Sequence, residues 1–144
     1  MLMDSIPIAE YFEQYEWGAE EIEPDIWRSS FTTESEEDFD LYVMVSEEWI
    51  HFAVSPLVQI GEAEQQPRLI GALLRLNQRM RLVRLGLDDE GDLNLVADAP
   101  RARFDFGDFA LILDLLTEYA AALAYEVRRS VMDANYFSPL LPTS

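Results

Sequence analysis

Residues 69–99 read LIGALLRLNQRM (69–80), RLVRLGL (81–87), DDEGD (88–92) and LNLVADA (93–99). The first block has helical periodicity: Ile70, Leu73, Leu74, Asn77 and Met80 share a face, with Leu69 and Leu76 beside it. Pro67 is a good first residue for that helix. The second and fourth blocks alternate, with Val83, Leu85 and Leu87 on one face and Leu93, Leu95 and Ala97 on another. Between them Asp88-Asp89-Glu90-Gly91 supplies a turn in which Gly91 can adopt positive φ. The stretch predicts a helix feeding a β-hairpin, and the hairpin closes at Pro100.

Upstream, Ile8, Tyr11, Phe12 and Tyr15 form one apolar stripe over a short helix of residues 6–17. Asp4 or Ser5 is the expected cap, and Gly18 the expected stop. Residues 19–25 read as an acidic connector. Three strands follow: 26–32, 39–45 and 49–55. Leu41, Val43 and Val45 oppose Tyr42 and Met44, while Ile50 and Phe52 oppose Trp49, His51 and Ala53. Short polar turns between them argue for an antiparallel meander; Pro56 ends its third strand, with Leu57-Val58 as a candidate continuation of the edge beyond it.

Downstream of the hairpin, residues 101–107 read as a loop and Asp108 as the cap of the longest helix, about 109–132. Phe109, Ile112, Leu113, Leu116, Ala120, Leu123 and Val127 make its main stripe. Leu111, Leu115, Tyr119 and Ala122 widen it beyond what one sheet needs. Two readings stand: burial between the sheet and a second subunit, or a helix deep in one core. The segment 135–144 is an apolar, Pro-containing tail that docks on the body or stays disordered. The order α-β-β-β-α-β-β-α, an antiparallel sheet with separate helices, is α+β. Residues 1–134 read as one domain and 135–144 as its tail.

Charge is distributed unevenly. The chain has 28 acidic and 10 basic residues, a net of −18. Residues 1–66 hold 17 carboxylates against the single Arg28, and every basic residue is Arg. Such a chain is repelled by nucleic acid and by anionic membranes, and it favours basic partners. Solubility alone is the other reading of the same charge. No apolar run approaches the roughly 20 residues of a membrane span, and the start lacks a signal-peptide pattern. The expectation is a cytoplasmic protein.

Catalytic chemistry finds little support. There is no Cys, and His51 is the only His, which excludes thiol chemistry and a His-rich metal site. His51 reads as a structural or exposed strand residue. An EF-hand frame starting at Asp88 puts Leu93 where Gly is required, so the acidic cluster reads as a hairpin turn. The 6 Gly are scattered and form no phosphate loop. With 28 carboxylates, any acidic pair is unremarkable as a glycosidase signature. The chain is expected to have no enzymatic activity and no cofactor.

Leu73-Leu74-Arg75-Leu76-Asn77 followed by Leu85-Gly86-Leu87-Asp88-Asp89-Glu90-Gly91-Asp92-Leu93 resembles the YbjN-type pattern of helix, strand, acidic Gly turn and strand. With the element order and the long last helix, the chain resembles the type III secretion chaperone-like fold, which includes CesT-like and YbjN-like bacterial proteins. The resemblance implies a small, acidic, dimeric protein that binds other polypeptides without catalysis. On that reading Tyr11, Tyr15, Trp27, Phe31, Tyr42 and Trp49 contact a client protein or peptide, favourably a basic one. Leu111, Leu115, Tyr119 and Ala122 supply a homodimer contact. The alternative role is a structural or regulatory YbjN-like subunit of a larger bacterial assembly.

Overall fold

A computed structural model of the chain describes residues 5–141. Asp4, one of the two expected caps, lies outside them, as do residues 142–144 of the tail. In the first helix, α1 (Ile8–Gln14), Pro7 rather than Ser5 occupies the N-cap position and makes no side-chain cap bond. The helix starts two residues later than expected, with the Ile8 amide donating to the Ile6 carbonyl, so Ser5 falls short of the helix end. The helix also stops earlier. Glu16 takes positive φ, its amide donates to Glu13 and that of Trp17 donates to Phe12. This is a Schellman ending built without glycine.

The expected connector 19–25 contains a strand, β1 (Ala19–Glu23), which pairs antiparallel with β2 (Ile26–Thr32). Glutamates have little intrinsic strand preference and no residue of β1 is buried, so nothing in its pattern points inward. Backbone pairing holds it, aided by an ion pair from Arg28 to Glu20 at 2.7 Å. Carboxylates on an exposed edge also discourage pairing with another sheet.

The meander continues through β3 (Asp38–Val45) and β4 (Trp49–Gln59). Contrary to the expected stop, β4 runs past Pro56, because its register with the next strand shifts between Val54 and Val58. A bulge of this kind tolerates proline's missing N–H. A short 3-10 turn (Gly61–Gln65) leads into α2 (Pro67–Asn77), followed by β5 (Arg84–Leu87) and β6 (Asp92–Pro100). The six strands form one antiparallel sheet in the order β1-β2-β3-β4-β6-β5. The fold is α+β, with one strand more than the sequence pattern discloses.

The hairpin turn is built as its residues suggest. The Asp88 carboxylate accepts from the amides of Glu90 and Asp92 and from Asn94. Those bonds hold its pKa below the usual carboxylate value, most strongly the one from Asp92. Gly91 has positive φ and lies against Gly61, where a Cβ would come within 3.4 Å of backbone. Its carbonyl accepts from both Ile60 and Gly61.

The buried face of α2 is rotated from the expected one. Leu69, Ala72, Leu73 and Leu76 are buried, while Leu74 is exposed. The last helix, α3 (Phe106–Met132), starts three residues earlier than expected. Asp105 is its N-cap and Asp108 is the N3 partner in a reciprocal capping box, with bonds of 3.0 and 3.1 Å. α3 crosses β4 and β6 and buries Phe109, Leu113, Leu116, Ala120 and Val127 against the sheet. The reading of a helix deep in one core therefore fails, because the outer side of α3 is open. Leu111 is 49% exposed.

Candidate functional site

The core lies on one face of the sheet. Phe39, Leu41, Val43, Ile50, Phe52, Val54, Leu95 and Ala97 all point into it. Alternation then sends their neighbours to the opposite face. The register aligns Ile26, Met44, His51 and Asp98 across four strands, and Arg28, Tyr42, Ala53, Val96 and Arg84 across five. Trp49 extends the first patch, paired with Pro100 at the end of β6.

This open face has an apolar middle. Met44 is 44% exposed and Trp49 45%, with Tyr42, Ala53 and Val96 half-buried between them. Charges surround it: Asp40 precedes Tyr42 along the same face of β3, Glu47 and Glu48 precede Trp49, Glu23 pairs across from Ile26, and the arginines that end the Tyr42 row, Arg28 and Arg84, are ion-paired to Glu20 and Asp98, so carboxylates are in surplus. An apolar patch framed by carboxylates suits a partner that is itself apolar and basic.

At one side of the patch the Asp98 carboxylate receives both His51 Nδ1 and Arg84 Nη2, the latter at 2.7 Å. Partial burial opposes the charge on Asp98, but the Arg84 and His51 hydrogen bonds outweigh it and lower its pKa. His51 is thereby fixed by a carboxylate on the face that its alternation with Ile50 and Phe52 indicated. Among the described residues no group of three or more His, Cys, Asp or Glu is arranged to hold a metal ion.

The six aromatic residues singled out in the sequence do not share one surface. Tyr42 and Trp49 lie on the open face. Tyr11, Tyr15, Trp27 and Phe31 lie on the helical side, half-buried against the core. Tyr11 packs on Phe104, Phe106 and Phe109, with ring centroids 5.5–6.1 Å away. Tyr15 meets Trp17 edge-on at 5.2 Å, and Trp17 stacks on Phe31 at 5.4 Å. The Tyr15 hydroxyl donates to Asp114 at 2.5 Å. These rings form a continuous aromatic seam between α1, α3 and β2. Trp17, Met44, Ile26 and Val96 were missed as members of these surfaces. The alternation of β3 already placed Met44 beside Tyr42, but Trp17 gave no signal because its partner Phe31 is distant in sequence.

On the outer side of α3, Leu115 and Tyr119 are half-buried, and Leu111 and Ala122 are exposed. The Tyr119 hydroxyl accepts from the Arg81 amide at 2.8 Å, so that ring is anchored to the segment before β5. Exposed Leu82 adds to the apolar surface near Leu111. No helix among the described residues is long and apolar enough to cross a membrane.

No protein-family model and no curated protein sequence matches the chain. Solved structures do match. SpcU, in the heterodimeric ExoU–SpcU complex from the type III secretion system of Pseudomonas aeruginosa, superposes with a TM-score of 0.59 at 21% identity, over 82% of this chain and 95% of that one. YbjN from E. coli gives 0.56 at 13% identity, over 85% and 87%. SchA, in the HopA1–SchA chaperone–effector complex, gives 0.56 at 18% identity, over 81% and 88%.

Proposed function

We propose that the protein, which shares the fold of the type III secretion chaperone structures and of YbjN, is a non-enzymatic chaperone or adaptor that holds an apolar, basic segment of a client polypeptide. The observation that carries this reading is the open sheet face, where Tyr42, Met44 and Trp49 form an apolar patch inside an acidic surround. Aromatic side chains in such a setting give large contact area at small entropic cost. An extended client that crosses the β1 edge also reaches the seam of Tyr11, Tyr15, Trp17 and Phe31 on the helical side, and Trp27 on that same side of the sheet. Structural neighbours solved as chaperone–effector complexes support a polypeptide partner. The protein works as a homodimer in this reading, through the outer strip of α3.

The test uses short synthetic peptides of one apolar pattern, carrying either arginines or glutamates, titrated against the full chain. The arginine form binds, binding weakens with added salt, and Tyr42→Ser with Trp49→Ser lowers affinity about tenfold or more. Both positions are solvent-facing, so the far-UV circular dichroism of the variant matches that of the parent. Equal binding of the glutamate peptides, or an affinity unchanged in the double variant, overturns the proposal.

A further inference from the structure

α2 is a basic element in an acidic molecule. It carries Arg68 and Arg75 and no carboxylate, although the chain as a whole has a net charge of −18. Arg28, Arg84 and Arg128 are ion-paired. Neither Arg68 nor Arg75 has a carboxylate within ion-pair distance among the described residues.

Arg68 is committed to the C-terminal segment. Its two terminal nitrogens donate to the carbonyls of Ala134 and Tyr136, and its guanidinium lies 3.9 Å from the centroid of Phe137. Tyr136 is held in turn by a 2.7 Å bond to Glu126 and by Arg129 over its ring. The segment after α3 thus forms a wall facing α2, with Ser138 and Leu141 buried. Between wall and helix is a cavity of about 390 Å³. Leu69, Ala72, Phe137 and Leu141 give it apolar sides, and Arg68 and Arg75 stand at its rim.

Gly71 lets Arg75 reach that position. A Cβ on Gly71 would come within 3.1 Å of Arg75 Nη1, so the guanidinium folds back close over the bare backbone of Gly71 and would have to shift slightly to admit a side chain. Glycine inside a helix is less favourable than alanine. Here it lays a cation along the cavity.

We propose that this cavity binds a small amphipathic anion, an apolar body with one carboxylate or phosphate head. Arg75 holds the head beside Arg68, and Leu69, Ala72, Phe137 and Leu141 enclose the body. The volume is at the small end of ligand pockets. A guanidinium fork matches either head group through paired charge-assisted bonds. Arg68 gives two of its N–H donors to the tail carbonyls, so Arg75 is the freer of the two to hold a head group. The site is separate from the open sheet face and does not depend on the client reading.

Calorimetric titration of the full chain with decanoate, decyl phosphate, decanol and inorganic phosphate tests it. One or both decyl anions bind saturably at one site, and whichever binds identifies the head group. Decanol and inorganic phosphate bind at least about tenfold more weakly, since each lacks half of the recognised chemistry. Arg75→Gln weakens the anion about tenfold and Arg75→Lys recovers part of the loss. Arg79→Gln removes the same charge from the same region outside the cavity and leaves affinity within about twofold. Tyr42→Ser with Trp49→Ser leaves it unchanged. Absence of saturable binding by both anions, decanol binding as tightly as they do, or Arg79→Gln acting as strongly as Arg75→Gln overturns the proposal.

Discussion

Asn77 and Leu85 are joined by two hydrogen bonds. Asn77 Nδ2 donates to the Leu85 carbonyl at 3.1 Å, and the Leu85 amide donates to Asn77 Oδ1 at 2.7 Å. One side-chain amide at the end of α2 thus imitates a neighbouring strand for β5, the last strand of the sheet. It also explains a polar residue on an apolar helical stripe. Asn77 faces inward because the edge of the sheet needs a donor and an acceptor there.

Asn77→Ala leaves both backbone groups of Leu85 without that partner. Part-buried groups left so cost about 2 kcal/mol, which urea denaturation resolves as a lower midpoint at unchanged slope. Asn77→Asp retains the acceptor and loses the donor to the carbonyl, so it falls between alanine and the parent near neutral pH. A midpoint for Asn77→Ala equal to the parent's refutes this account of the helix–strand junction.

The outer strip of α3 leads to an expectation about assembly. Leu111 and Leu115 lie one turn apart on that strip. If it joins two copies, Leu111→Glu with Leu115→Glu places charges in an apolar contact and converts a dimer to a monomer, because each buried charge is strongly unfavourable. Sedimentation or light scattering over micromolar concentrations checks this. A parent chain that is monomeric throughout removes the homodimer from the proposed function. A double variant that still dimerises moves the contact elsewhere.

Stability should decline at both ends of the pH scale, from identifiable groups. Tyr15 has its pKa raised above the ordinary 10.0, first by burial, then by its hydrogen bond to Asp114, then by the charges of Asp114 and Glu118. A raised pKa means that its contribution is whole below pH 10.0 and is lost as pH rises through the folded value. Asp98 has its pKa lowered, because the bonds from Arg84 and His51 outweigh the opposing effect of burial. Its contribution is whole above the ordinary 3.8 and is lost as pH falls towards the folded value. Urea midpoints measured across pH therefore flatten on the alkaline side in Tyr15→Phe and on the acid side in Asp98→Asn. Unchanged limbs would assign those losses to other groups.

Much of this architecture is readable from periodicity. The alternation in β3, β4 and β6 sorted inward from outward residues, because a half-buried strand must alternate. The stripe of α1 and the main stripe of α3 follow from the same kind of constraint. Among the readings that miss, three show the physical reason most plainly. β1 has no apolar face, so only pairing with β2 makes it a strand. β4 continues past Pro56 because a bulge absorbs the proline. Gly18 looked like a helix stop, but Glu16 takes the left-handed conformation two residues earlier, held by two backbone bonds that composition does not announce.

The candidate surfaces were less legible than the fold. Tyr11, Tyr15, Trp27, Phe31, Tyr42 and Trp49 are alike in a sequence, all aromatic and all in or near amphipathic segments. What separates them is which side of one sheet each occupies, and whether a helix covers that side. The contact of Arg68 with the tail is further out of reach, since it spans 66 residues from Arg68 to Ala134.

The sequence by itself determined the α+β class, the hairpin over residues 82–97, the acidic character of the first half and the absence of cysteine chemistry. These rest on local periodicity, turn residues and composition, which need no knowledge of distant neighbours. Only the tertiary structure decided that all the helices leave one sheet face open, that the aromatic residues divide between two surfaces, and that the tail closes a cavity against α2. Those outcomes depend on long-range packing, where burial of one face fixes what the other must expose.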